Sequence, residues 1–379
     1  MDWTTILLSA TLAFVITFFS IPVIIQVAKS KKLFDEPDER KVHKTVIPTL
    51  GGLGIFAGFI LATLIGVPAG SSSELQFIAA ACIVIFFLGI KDDIMVLSAS
   101  KKFAGQLIAA GILIKFGDIQ ITNMYGFLGI HELPAAASVV FTMLTIVVIT
   151  NSFNLIDGVD GLAGSLGLLT SLVFGAYFAF NGNITFAVVS LSLAGSIAGF
   201  LIYNFSPAKI FMGDTGSLLL GLLNSVLSIK FIAIAGNPNS TLHLEAAPAI
   251  GFAILMIPLF DTLRVFTLRI LNRRSPFSPD RNHVHHFLLD LGFSHKMVTF
   301  ICVTVNIAFI AAAYFMRHLQ TTAVIGILFC CVIVFISTVY YFSRQKNKKM
   351  SKANVSKPAM ARTTQRFTMA AEPTPVEAD

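Results

Sequence analysis

FTMLTIVVITNSFNLIDGVDGLAGSLGLLTSLVFGAYFAF, Phe141 to Phe180, sets two strongly apolar runs on either side of a short polar bridge. Within the bridge, Asn151 to Gly164, stand Asn154, Asp157 and Asp160, with glycines at 158, 161 and 164. On a helix, a spacing of three residues brings these three side chains to neighbouring points of one face. Carboxylates beside a bilayer are expensive to keep and usually mark a site rather than a packing choice. The competing reading is a polar turn between two spans, with Asp as an N-cap and Gly for the bend. The rest of the chain decides between them.

Working outward, apolar windows of the length a helix needs to cross the hydrocarbon core recur along most of the 379 residues. With 55% hydrophobic and 12% charged residues, the composition is not that of a soluble globular domain. A β-barrel would show apolar/polar alternation over roughly ten-residue segments, and that is absent. The expected fold is all-α and polytopic, with about eleven transmembrane helices near 4–28, 49–67, 75–91, 103–117, 134–152, 161–180, 184–203, 215–233, 247–268, 297–316 and 321–343. The first run has neither a basic leader nor a cleavage site, so it is expected to be a retained span. Cys82, Cys302, Cys330 and Cys331 lie inside apolar runs and behave as small hydrophobes, with no disulfide framework or metal-type spacing.

Charge then orients the chain. Of the 27 Lys and Arg, 24 fall on one set of alternate connections and the C-terminal tail, leaving Lys115, Lys230 and Arg317 elsewhere. The positive-inside rule puts the N-terminus outside and the C-terminus in the cytoplasm. Residues 1–343 form the integral membrane part, and 344–379 are expected as a disordered basic, then polar, cytoplasmic tail that touches anionic headgroups. A net charge of +7 placed in this way argues for topology and not for nucleic acid. Every stretch rich in Asp, His and Asn next to Gly or Pro lands on the cytoplasmic face.

Four more stretches there carry chemistry. RKVHKTVIPTLGG (Arg40–Gly52) packs Arg40, Lys41, His43 and Lys44 before a Gly pair, either a cationic cradle for phosphate or ordinary positive-inside charge. GIKDDIMVLSASKKF sets Asp92 beside Asp93, with Lys101 and Lys102 after a turn. Adjacent carboxylates repel unless a cation or proton intervenes, and at a membrane edge they suit Mg²⁺-linked phosphate chemistry. YNFSPAKIFMGDTGS adds Asn204, Lys209 and Asp214, the last an N-cap or a metal ligand at a helix start that favours phosphate. RILNRRSPFSPDRNHVHHFLLDLGFSH carries Arg273, Arg274, Arg281, His283, His285 and His286. A zinc site would want Cys or closer carboxylates, and three His with three Arg suit a diphosphate better. Asp261 and Arg264, spaced i, i+3 inside the ninth span, read as a structural ion pair.

Together NLIDGVDGLAG, GIKDD, NFSPAKIFMGDTGS and SPFSPDRNHVHH resemble the polyprenyl-phosphate N-acetylhexosamine-1-phosphate transferases, the MraY/WecA/TagO family, over residues 1 to 343. HVHH, with Val284 where the MraY branch has three consecutive histidines, is similar to the WecA/TagO branch. The resemblance implies a bacterial plasma-membrane enzyme that moves N-acetylglucosamine-1-phosphate from UDP-GlcNAc to undecaprenyl phosphate, releases UMP and starts a cell-envelope glycan. It also implies a need for Mg²⁺, with Mn²⁺ as an alternative, and is compatible with a homodimer. By matching motif it implies Asp92, Asp93, Asp157 and Asp160 as catalytic residues and Asp214 with Asp157 as metal ligands. The implied substrate-binding set is Lys44, Lys102, Asn154, Asn204, Arg281, His283, His285 and His286.

Two anionic reactants, one a lipid phosphate and one a soluble diphosphate, need Mg²⁺ and Arg, Lys or His to meet at an interface. Direct attack by a lipid-phosphate oxygen and a covalent aspartyl-phosphate route both remain open on sequence, the former preferred. UDP-MurNAc-pentapeptide or UDP-GalNAc as donor is the near alternative. A transporter of anionic solutes is the distant one, and it would place polar residues at midspan and on both faces. The CDP-alcohol phosphotransferase pattern is not found.

Overall fold

A computed structural model describes residues 3–31, 47–68, 70, 73–273 and 282–355. Four helices come first: α1 (Trp3–Lys31), α2 (Gly51–Gly66), α3 (Glu74–Ile94) and α4 (Ala99–Lys115). A hairpin of β1 (Asn123–Phe127) and β2 (Ile130–Glu132) leads to α5 (Ala135–Ile156), α6 (Leu162–Phe180), α7 (Ile184–Asn204) and α8 (Gly213–Ala235). α9 (Ala247–Ile254), α10 (Met256–Leu271), the short α11 (Val284–Asp290), α12 (His295–Phe315) and α13 (Thr321–Val355) follow among the described residues.

Among the described residues, seven helices are long and apolar enough to cross a membrane (α1, α5, α6, α7, α8, α12 and α13), and the pair α9–α10 makes eight if it is one span. This is a polytopic helical membrane protein. Helices occupy all eleven expected stretches, but not all are plain spans. α2 and α4, at 16 and 17 residues, are short for a roughly 20-residue crossing, and α3 ends in Lys91, Asp92 and Asp93.

The most buried crossing helix is α8, which packs against α2, α3, α5, α6 and α9. Small residues let its neighbours approach. A Cβ on Gly52 would stand 2.2 Å from Gly216 N, and one on Gly89 2.4 Å from Thr215 Cα. In lipid, where apolar surfaces gain little by meeting, such backbone proximity is a principal source of helix association.

Three features depart from the sequence reading. The fold is not purely helical: the antiparallel hairpin turns through Gly126 and Gly129, both at positive φ, and docks by Leu128 N donating to Thr322 Oγ1 at 2.7 Å. The ninth span is bent by 83° at Leu255. Buried Asn306 of α12 completes the backbone there, accepting from Ile257 N at 3.0 Å and donating to Ile254 O at 2.9 Å. Without such a partner a broken helix in apolar surroundings strands its polar groups. Finally, the basic stretch from Arg344, expected as disordered, continues α13 as far as Val355. Lys346 Nζ donates to Leu291 O at 2.8 Å, tying it to the end of α11. Residues 356–379 lie outside the described residues.

Candidate active site

The site forms around the start of α8. Residues 48–52 lie alongside 211–212, with Phe211 N donating to Pro48 O (2.7 Å), Gly51 N to Phe211 O (2.9 Å) and Gly52 N to Met212 O (2.8 Å). Gly213 follows at φ +70°, a conformation that costs glycine little, and a Cβ there would stand 2.1 Å from Thr49 O. A helix start leaves N–H groups unpaired, and here Asp93 of α3 takes them. Its carboxylate accepts from Asp214 N (2.7 Å), Thr215 N (3.0 Å) and Thr215 Oγ1 (2.5 Å). Asp93, expected as a catalytic carboxylate, is thus committed to capping α8 and orienting Asp214.

Asp214 is brought beside the residues the sequence grouped with it. Lys102 Nζ bridges Asp92 Oδ2 at 2.5 Å and Asp214 Oδ2 at 2.7 Å, and Asp92 Oδ1 also accepts from Leu97 N at 2.6 Å. Asn154, at the end of α5, lies beside Asp214 and donates to Ser217 Oγ at 3.0 Å. Asp157 follows at the helix end. It keeps some exposed surface yet is ringed by protein. Burial, with the carboxylates of Asp214, Asp93 and Asp160 around it, pushes its carboxyl up to about 8.

Lys102 is the only side-chain cation that bonds to any of the carboxylates of Asp92, Asp93, Asp157 and Asp214 among the described residues. Such a surplus of negative charge fits a divalent cation. No group of three or more Asp, Glu, His or Cys among the described residues is set at metal-ligand spacing. Asp214 and Asp157, close enough to interact, offer the one or two carboxylates that Mg²⁺ takes alongside waters and substrate phosphates.

Asp160 lies near Asp157 but is held by other partners. Ala208 N donates to its Oδ2 at 3.2 Å, His295 Nδ1 lies 3.2 Å from Oδ1, and Thr299 Oγ1 donates to its carbonyl at 3.1 Å. Buried Asn204 similarly spends its amide on backbone, accepting from Gly161 N at 3.0 Å and donating to Ile210 O at 2.8 Å. The two residues, expected in catalysis and substrate binding, latch the Asp157–Gly161 turn to the 205–212 loop and to α12. His295, Thr299, Thr215 and Ser217 take part unannounced by the sequence reading. Ser217 and Thr215 could have been found from GDTGS, but His295 and Thr299 carry no motif.

The histidines lie on the other side of the turn. His285 is buried, and a Cβ on Gly158 would meet its Nε2 at 2.8 Å. Burial, followed by the charge of His286, pushes its imidazole down to about 3, so it is neutral at any working pH. The His283 and His285 rings lie 5.6 Å apart with planes within 7°, and those of His285 and His286 are 4.3 Å apart. The Asp261–Arg264 pair is more than mutual neutralisation, because His283 Nδ1 sits 2.9 Å from Asp261 Oδ2. Lys44 and Arg281, expected as phosphate ligands, lie outside the described residues, as do Arg40, Lys41, His43, Arg274 and Asp280.

A family model described as glycosyl transferase family 4 matches residues 75–232, from α3 through α8. The chain is 33% identical to a probable undecaprenyl-phosphate N-acetylglucosaminyl 1-phosphate transferase of Bacillus subtilis, over 85% of this chain and 88% of that one. It belongs to the polyprenyl-phosphate N-acetylhexosamine-1-phosphate transferases. A decaprenyl-phosphate N-acetylglucosaminephosphotransferase of Mycobacterium leprae is 35% identical across 88% of this chain and 90% of its own. The undecaprenyl-phosphate alpha-N-acetylglucosaminyl 1-phosphate transferase of Escherichia coli K12 is 28% identical over 76% and 77%. The matched segment of this family spans Asp92, Asp93, Lys102, Asn154, Asp157 and Asp214, whereas the histidine motif lies beyond it.

Proposed function

We propose that this chain transfers N-acetylglucosamine-1-phosphate from UDP-GlcNAc to undecaprenyl phosphate, giving undecaprenyl-diphosphate-GlcNAc and UMP, at the cytoplasmic face of a bacterial plasma membrane. The observation that carries this is the gathering of Asp92, Lys102, Asn154 and Asp214 at the start of α8, in a chain whose relatives are named for that transfer. The eleven-span topology, with the N-terminus outside, is supported by the one-sided placement of Lys and Arg and by helices at every expected stretch.

Asp214 and Asp157 would hold the divalent cation, which when bound neutralises the phosphate oxygens and stabilises charge on the departing nucleotide. Asp93 keeps Asp214 pointed through the α8 cap, and Asn154 steadies Asp214 from α5. Lys102 adds a positive charge that moves between carboxylate and phosphate partners. Asp92 orients the lipid phosphate or takes its proton. A lipid-phosphate oxygen forms the new bond to the sugar-proximal phosphorus, the bridging oxygen bond breaks, and its electron pair leaves with UMP. Direct attack is preferred over an aspartyl-phosphate because Asp93 has three donors on its carboxylate and Asp92 has Lys102 and Leu97 N.

An apolar cavity of about 380 Å³, lined by Phe141, Leu144, Val148, Leu255, Leu259 and Phe329 among others, runs along α5, α8 and the α9–α10 bend under the hairpin. It suits a prenyl chain, since lining and ligand are alike apolar.

Isolated membranes given undecaprenyl phosphate, Mg²⁺ and labelled UDP-GlcNAc, UDP-GalNAc or UDP-MurNAc-pentapeptide provide the test. Label should enter lipid from UDP-GlcNAc as free UMP is released, and the transfer should require the divalent cation. Transfer from another donor alone would correct the sugar. Accumulation of soluble label in vesicles without lipid labelling would instead establish a transporter.

A further inference from the structure

Asp261 is buried on α10, six positions beyond the bend, and serves three donors. His283 Nδ1 lies 2.9 Å from Oδ2, while Val284 N (3.1 Å) and Arg264 Nη2 (3.0 Å) donate to Oδ1. Arg264 also donates to Asn282 O, so the backbone on either side of His283 is pinned through one carboxylate. An ionised carboxylate only accepts, so the proton of a neutral His283 sits on Nδ1 and its Nε2 carries the lone pair. From His283 the rings continue through His285 to Gly158, the residue after Asp157.

Among the described residues, two buried polar atoms in this network have no hydrogen-bond partner, Arg264 Nε and His285 Nδ1. A buried polar atom left unmet is costly, so each such atom calls for an explanation such as a bound water, an ion or a functional role. Both lie in the network that joins Asp261 to the histidine row.

We propose that Asp261 is a positioning residue for the sugar-phosphate transfer: it fixes the tautomer and place of His283 and so sets the histidine row against the Asp157–Gly161 turn. This rests on the transferase reading above. Asp261 touches no reacting atom and acts through His283. Its position on α10 gives it a second connection, because Leu259 and Leu263 of the same helix line the apolar cavity.

Steady-state kinetics of purified protein, varying UDP-GlcNAc and undecaprenyl phosphate separately, test this. Asp261→Asn keeps the shape but offers an N–H to His283, favouring the wrong tautomer. It should lower kcat/KM for UDP-GlcNAc about tenfold or more, as loss of an orienting partner does elsewhere, with KM for undecaprenyl phosphate within about twofold. His283→Gln should show the same split, and the double variant should be no worse than the poorer single one. Losses that multiply in the double variant, equal rises in KM for both substrates, or unchanged kinetics would each overturn the proposal. If Asp261→Asn does not accumulate, His283→Gln alone must reproduce the split, and wild-type kinetics there also overturn it. Wild-type protein measured alongside separates the two readings. An inactive wild type overturns both, whereas an active wild type with an equally active Asp261→Asn overturns only the positioning role.

Discussion

Asp157→Asn, compared with wild type from pH 6 to 9 with and without Mg²⁺, probes the carboxyl on which the cation reading most depends. Without a cation, its surroundings push that carboxyl up to about 8. An unfolded Asp titrates near 4. Below about pH 4 both states hold the proton and the group contributes nothing. Between about 4 and 8 the folded state retains a proton that the unfolded state has lost, so stability falls as pH rises through that window. A cation that binds the ionised form must displace the proton below pH 8, costing about 1.4 kcal/mol per pH unit. The cost is therefore about 2.7 kcal/mol at pH 6, about 1.4 at pH 7 and small above 8.

Apparent Mg²⁺ affinity should accordingly rise about tenfold per pH unit from 6 to 8 and then level off. Thermal unfolding of detergent-solubilised protein over a Mg²⁺ titration reads the affinity, and calorimetry in two buffers of different ionisation enthalpy counts the released proton. Asp157→Asn should show weak, pH-independent Mg²⁺ stabilisation. Its cation-free Tm above pH 7 should exceed that of wild type, because no buried carboxylate has to ionise. A wild-type Mg²⁺ midpoint that does not move between pH 6 and 8, or an Asn variant that keeps the wild-type slope, would rule out Asp157 as the group whose proton the cation displaces.

Asp214→Ala should abolish turnover while leaving Tm near wild type, read by lipid labelling and thermal shift on one preparation. Asp93→Asn should lose both, since three donors at the start of α8 lose their charged acceptor; a drop of about 1–3 kcal/mol accompanied by lost transfer is expected. Gly52→Ala forces a Cβ to 2.2 Å from Gly216 N, and the α8 start must shift; lost activity and a lower Tm should appear together. Asn306→Leu unpairs Ile257 N–H and Ile254 C=O at the α9–α10 bend, so stability should fall by about 1–3 kcal/mol per stranded group, measured by thermal unfolding in detergent.

Much of the site was legible because its chemistry is local in sequence. Asn154 and Asp157 stand on one turn, Asp92 and Asp93 are adjacent, and Asp214 opens its helix. What could not be read is which of two neighbouring carboxylates faces outward. Asp93 turns to the α8 cap and Asp92 to Lys102, a choice made by α8 approaching α3 through Gly89. Asp160 and Asn204 carry the same residue types as a site but spend them on backbone. Nothing in their spacing distinguishes a latch from a ligand. The hairpin escaped notice because its five- and three-residue strands have no alternating pattern, and contacts distant in sequence hold them, with Thr321 and Thr322 and with Ala233 O through Tyr125.

That this chain is a multi-span helical membrane protein, with its polar chemistry crowded on one set of connections, is written in the order of its residues. Hydropathy and charge are properties of each segment against a bilayer and need no partner to be read. Tertiary structure alone decided which carboxylates gather at the α8 start, where the ninth span bends, and that Asp261 reaches a histidine 22 residues away. Those outcomes depend on close approach between helices distant in sequence, through glycines and buried polar atoms whose partners no local pattern names.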